Sequence, residues 1–189
     1  MILVVGGTGE LGGRVVRVLR EHGNQVQCLV RPETDDATLG RLGATVVRGD
    51  LTEPPSLPPA CQGIDTVVAT ATALGRRLDR AHQASIREVD QVGMSALIDA
   101  AEQARVGRFV FVSSAGLDGA RGTPFERAKI ANERRLRASS MQAVLVRPDA
   151  FQETRLTPLG RFDLARGQVV CSAKETAGPA GSVPTTWPL

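Results

Sequence analysis

Residues 1–16 read MILVVGGTGELGGRVV, and this stretch decides the fold. A short apolar run, Ile2–Val5, ends in Gly6-Gly7-Thr8-Gly9-Glu10-Leu11-Gly12, a GxxGxxG spacing. The next residues carry helical periodicity, with Leu11, Val15, Val18 and Leu19 expected on one face and Gly23 as the stop. A strand that turns at once into a helix needs glycine conformations in the turn. Its backbone N–H groups and the positive helix end are then open to a phosphate, and Gly12 lets helix and strand approach closely. The alternative is a tight strand–helix turn that holds no ligand.

The same alternation continues outward. Val26–Val30, Ala44–Val47, Thr66–Ala69, Phe109–Val112 and Ala143–Val146 read as further strands. Asp79–Ala104 and Phe125–Ala138 read as helices, the first with Ile86, Val89, Gly93, Leu97, Ala100 and Ala104 at helical spacing. Near-continuous apolar strands between helices predict an α/β fold with a doubly wound parallel sheet of the Rossmann type. Asp50–Pro59, with four prolines, is expected to be a loop. The pattern weakens after Phe151. Residues 1–170 are expected to form the nucleotide-binding domain and residues 171–189 an irregular tail.

Composition narrows the function classes. The chain has 189 residues and a net charge of +3, with basic residues scattered rather than clustered, which argues against nucleic acid and membrane surfaces as partners. Cys28, Cys61 and Cys171 have no metal-ligand spacing, so no metal is expected, and an odd, scattered count fits a reducing compartment, here taken as cytoplasmic. The opening apolar run is too short for a signal segment. A serine-hydrolase nucleophile elbow and a P-loop lysine are both missing from the sequence.

About twenty residues past the last glycine of such a turn, an acid would hold the adenosine ribose of NAD. This sequence has Arg31 there, suited to a 2′-phosphate. The expected cofactor is therefore NADP(H), with NAD(H) as the alternative and Glu33 close by. A solvated arginine is the competing reading. The cofactor-binding set from the motif is Gly6, Thr8, Gly9, Glu10, Leu11, Gly12 and Arg31.

Taken together, VVGGTGELGGRVVRVL, CLVRP, VVRGDL, VDQVGMSALIDAAEQARVGRFVFVSSAG and KIANERRLRASSMQAVLVRPDAFQE resemble the NmrA-like branch of the atypical short-chain dehydrogenase/reductases, from Met1 to about Cys171. The resemblance implies that Asp50 and Leu51 border the adenine and that Ala69 and Thr70 line the ribose. It implies that Lys129 reaches the nicotinamide ribose, that Pro148 lies beside the nicotinamide, and that Ser113 and Lys129 form the catalytic pair. Ser113 and Ser114 also read as capping hydroxyls, and Lys129 as a solvated helix residue.

One departure matters. Such enzymes usually place tyrosine four residues before the lysine, where it passes a proton to or from the substrate oxygen. Here that position is Phe125, and the chain contains no tyrosine. The expected function is an NADP(H)-dependent oxidoreductase of unassigned small-molecule substrate; the alternative is an NAD(P)-binding redox sensor or regulatory module without turnover. The resemblance also implies a C-terminal substrate region, largely missing here. CSAKETAGPAGSVPTTWPL is expected to be a frame-shifted remnant, because the codons of Thr185–Pro188 read one base out can spell Asp-Asp-Val-Ala.

Overall fold

The computed structural model describes residues 1–74, 85–119, 122–149, 151, 162–163, 168–171 and 185–188. The chain divides into two units, Met1–Arg147 and Pro148–Leu189.

In the first unit six strands form one parallel sheet: β1 (Ile2–Val5), β2 (Val26–Val30), β3 (Thr45–Arg48), β4 (Thr66–Ala69), β5 (Arg108–Val112) and β6 (Gln142–Val146), in the order β3-β2-β1-β4-β5-β6. The helices are α1 (Glu10–Glu21), α2 (Ala37–Arg41), α3 (Leu57–Cys61), α4 (Met94–Gln103) and α5 (Pro124–Arg137). This is the doubly wound Rossmann order, with the strand sequence reversing between β1 and β4.

The period-two alternation of the strands builds two cores. Val4, Val26, Cys28 and Val30 pack with Val16 and Leu39 on one side of the sheet. Leu3, Val5, Val67, Phe109 and Phe111 pack with Leu57, Met94, Leu97, Ile98 and Leu136 on the other. Both sides of β1 are covered, whereas at β6 Val144 and Val146 are exposed, 37% and 43%.

α1 sits differently from the expected register. Val18 is 51% exposed, while Val16 is fully buried. The cause lies at the helix start: Gly12 faces the strand end, and Val16, one turn on, follows it inward. A Cβ on Gly12 would stand 2.0 Å from the Gly6 carbonyl oxygen. The Pro-rich stretch also differs from the expected loop. It contains a 3₁₀ turn at Pro54–Ser56 and then α3, with proline in the first turn, where its missing N–H costs nothing. The helix expected over 79–104 begins outside the described residues and runs as a π-helical segment, Arg87–Gly93, into α4. Gly93 is pressed against Leu51, whose carbonyl oxygen would lie 2.3 Å from an added Cβ.

In the second unit β7 (Phe162–Asp163), β8 (Gln168–Cys171) and β9 (Thr185–Pro188) form an antiparallel sheet in that order. Within the tail expected to be irregular, Thr185–Pro188 is therefore extended, with Val169 opposite Trp187 and Val170 opposite Thr186. β-Branched and aromatic residues favour this, and proline is tolerated on an edge strand.

Gly12→Ala should destabilise the first unit by about 2–3 kcal/mol, because the methyl group must displace backbone rather than a flexible side chain. Urea unfolding measures this, and an unchanged midpoint would contradict the close approach.

Candidate functional site

The six parallel strands end along one edge, and the expected site residues fall there because that is where each strand stops. Gly6–Gly9 follow β1, Arg31 follows β2, Asp50 and Leu51 follow β3, Ala69 and Thr70 close β4, and Ser113 follows β5. Leu11 and Gly12 lie in the first turn of α1, and Lys129 is on α5. Pro148 lies two residues past the end of β6 and begins the second unit.

The turn itself is built from backbone. Gly6 has φ +99°, and a Cβ there would meet Thr70 Oγ1 at 2.6 Å and the Ala71 nitrogen at 2.8 Å. Thr70 supports the turn from below, donating its hydroxyl to the Val5 carbonyl at 3.1 Å. The Gly9 N–H donates to the Gly6 carbonyl at 3.0 Å and the Gly13 N–H to the Gly9 carbonyl at 2.8 Å. The N–H groups of Glu10, Leu11 and Gly12 have no acceptor among the described residues. Thr8, Gly9 and Glu10 are exposed, and they line an open groove of about 650 Å³ with Arg14, Arg17, Asp36 and Thr38. Free donors, a helix N-terminus and a glycine surface fit a diphosphate. Gly9 has ordinary extended geometry, and its added Cβ would touch only the Gly6 oxygen, at 3.3 Å.

At the end of β2, Arg31 is half-buried, and its guanidinium has no partner among the described residues. Asp50 binds its own loop, accepting from the Thr52 N–H at 2.8 Å, while Leu51 is buried in the core.

Lys129 and Ser113 stand in surroundings that the sequence did not reveal. Lys129 is 3% exposed. Its Nζ donates to the Val112 carbonyl at 3.1 Å and lies 3.7 Å from Asp90 Oδ1. It also sits over the rings of Phe111 at 4.7 Å and Phe125 at 5.2 Å, which favours its charge. Burial pulls the lysine below its ordinary value, and the Asp90 carboxylate opposes this. Asp90 is in the π-helical segment, and its Oδ2 accepts from the Ala73 N–H at 2.8 Å. Asn132 ties α5 to the same segment, donating to the Asp90 carbonyl at 2.6 Å. Asp90 thus ties the π-helical segment to the loop after β4.

Ser113 donates its hydroxyl to Glu133 Oε1 at 2.6 Å. Glu133 is 2% exposed and also accepts from Arg147 Nε at 2.9 Å and Nη2 at 2.5 Å, and from Arg137 Nη2 at 3.2 Å. Arg147 above all, helped by Ser113 and Arg137, holds the Glu133 carboxyl below the usual carboxylate range against the effect of burial. One carboxylate thus fastens the ends of β5 and β6 to α5. The Ser113 proton is committed to an ionised acceptor, so its oxygen faces any ligand as an acceptor.

Asp90, Asn132, Glu133 and Arg147 were not found from the sequence. Glu133 had a usable signal, since it lies one helical turn after Lys129 on the buried face of α5. Among the described residues no cluster of histidine, cysteine or acidic side chains could hold a metal ion. No helix among them is long and apolar enough to cross a membrane.

Comparison with known proteins agrees with this geometry. Residues 6–174 match the family described as NAD(P)H-binding, and the chain belongs to it. A Photosystem II assembly factor, Ycf39, of Trieres chinensis is 36% identical over 152 residues, covering 80% of this chain and 46% of that protein. An NAD(P)H azoreductase of Xenophilus azovorans is 35% identical over 159 residues, covering 82% and 50%. A short-chain dehydrogenase/reductase superfamily protein of Agrobacterium tumefaciens, solved with NAD bound, superposes with a TM-score of 0.61 at 28% identity, covering 78% of this chain and 48% of that one. The chain thus spans about half the length of these relatives.

Glu133→Gln should cost about 2 kcal/mol at neutral pH, below the roughly 3–5 kcal/mol of a fully buried pair, because Arg147 is partly exposed. The folded carboxyl titrates below its unfolded value of 4.5, so its contribution is complete above 4.5 and is lost as pH falls through the lowered value. The stability gap between the variant and the unaltered protein should therefore narrow on acidification. A gap constant from neutral pH to well below 4.5 would contradict the assignment.

Proposed function

We propose that this member of the NAD(P)H-binding family is an oxidoreductase domain that prefers NADP(H) and transfers hydride without a side-chain phenol. Arg31 carries the cofactor preference: it ends β2, at the adenosine end of such a fold, and has no partner among the described residues. A guanidinium there matches a 2′-phosphate, and no acid stands in its place.

In this reading Gly6, Thr8, Gly9, Glu10, Leu11 and Gly12 receive the diphosphate. Asp50, Leu51, Ala69 and Thr70 border the adenosine. Ser113 and Lys129 belong to the nicotinamide end. When bound, the dinucleotide supplies a hydride to a two-electron acceptor. Phe125 contributes a ring and no proton, and the Ser113 hydroxyl is given to Glu133. The acceptor's proton then comes from water, which suits quinone-like or azo acceptors better than simple ketones. The azoreductase relative supports this class of acceptor. Burial pushes the thiols of Cys28 and Cys61 up to about 11, so both are protonated and inert core groups.

A second reading, a cofactor-binding module without turnover, is favoured by the engagement of Lys129 and Ser113 inside the protein. The similarity to an assembly factor points the same way. Repeated turnover of NADPH with quinones or azo dyes separates the two readings: steady oxidation supports the first, and tight binding without oxidation supports the second.

Arg31→Glu should weaken NADPH binding by at least about 100-fold and leave NADH within about threefold. Equal calorimetric affinities of the unaltered protein for both cofactors would remove the NADP preference. Gly9→Val should abolish binding of both with only a modest fall in the thermal transition, since its Cβ makes one tight contact, 3.3 Å from the Gly6 oxygen, and stands in the approach of a diphosphate. Retained NADPH affinity would show that the turn holds no cofactor.

A further inference from the structure

The loop that carries Arg31 is closed by another arginine. Arg31-Pro32-Glu33-Thr34 forms a turn in which the Thr34 N–H donates to the Arg31 carbonyl at 3.1 Å, with proline at the position that favours such a turn. Arg48, the last residue of β3, is paired with Val30 in the sheet register. Its Nη1 donates to the Arg31 carbonyl at 3.0 Å and to the Thr34 carbonyl at 3.0 Å. Its Nη2 donates to Asp36 Oδ2 at 2.5 Å. One planar fork therefore fixes both ends of the turn and the acid beyond it.

Resting on the reading that Arg31 receives the 2′-phosphate, we propose that Arg48 is the positioning residue for cofactor selectivity, holding the Arg31 turn in place and keeping the Asp36 carboxylate away from it. The loop holds three acids. Asp35 accepts from the Ala37 N–H at 3.0 Å, Asp36 is held by Arg48, and Glu33 is exposed. Released from Arg48, Asp36 becomes an anion free to pair with Arg31 or to repel a phosphate. The two carbonyl bonds also set the direction in which the Arg31 side chain leaves the turn. Arg48 acts through Arg31; its own guanidinium is spent on three acceptors of the loop.

The planar fork is essential to this role. A lysine keeps the charge but cannot bridge two carbonyls and a carboxylate with fixed geometry. Selectivity is measured on the 189-residue chain by calorimetric titration of NADPH and NADH into the unaltered protein, Arg48→Met and Arg48→Lys, with thermal melts as the check on folding. The expected result is NADPH binding weakened by about tenfold in both variants with NADH unchanged, the size of one lost charge-assisted contact. An unchanged NADPH preference in Arg48→Met overturns the proposal. A preference kept in full by Arg48→Lys also overturns it, by showing that charge alone suffices. Equal weakening of both cofactors overturns it too, since that would be loop stability and not selectivity. If the unaltered protein binds both cofactors equally, the Arg31 reading fails, and this inference fails with it; that outcome is visible before any variant is examined.

Discussion

The contact between Gly12 and the Gly6 carbonyl constrains the rest of the first unit. With no side chain between them, α1 comes down on the end of β1 until only hydrogen atoms separate helix from turn. Thr70 closes the space from the β4 side, so β1, α1 and β4 meet at one point. From that point α1 must run back along the sheet with Val16 inward, which fixes which face of β1 and β2 packs against it. At the same place the N–H groups of Glu10, Leu11 and Gly12 have no acceptor among the described residues. The packing that stabilises the domain thus also leaves these donors unengaged.

The carboxyl ends of β5 and β6 are organised by a different kind of interaction. There a buried carboxylate, Glu133, gathers Ser113, Arg137 and Arg147, while Asp90 faces Lys129 across the π-helical segment and α5. Burying such groups costs several kcal/mol for each ion unless partners compensate, so these side chains fix geometry more than they add stability. Asp90 Oδ1 makes no hydrogen bond, and its compensation is the lysine charge 3.7 Å away. With Phe125 where a phenol would stand, these groups can orient a ligand, but no hydroxyl among them is free to give up a proton.

How much of this the sequence discloses depends on the range of the interaction. Strands β1 to β6 and helices α1 and α5 follow from local apolar patterning and from glycine and capping signals. Thr123 and Glu126, for example, form the reciprocal cap that starts α5. The short helix α3 was hidden because its prolines suit a first helical turn as well as they suit a loop. Val16 and Val18 exchanged places because periodicity gives a helix a face, but only the Gly12 contact sets its rotation. The position of Arg31 just past β2 was legible, since it is counted from the glycine turn. Arg48 and Asp90 were not, because nothing near each in sequence reveals its partners: Arg48 reaches the loop after β2, and Asp90 reaches α5.

These two regions suggest why the chain tolerates losing a tyrosine and yet keeps the fold of its family. The turn after β1 rests on backbone contacts, and the Arg31 guanidinium has no partner among the described residues; neither relies on the groups around Lys129. The Lys129 region is held by Asp90, Asn132 and Glu133, none of which relies on a phenol. A phenylalanine at position 125 still packs against the core and lies over the lysine ammonium. It supplies the aromatic ring and part of the charge stabilisation while removing the acid. The substitution therefore keeps the ring and its packing and leaves out only the phenolic hydroxyl.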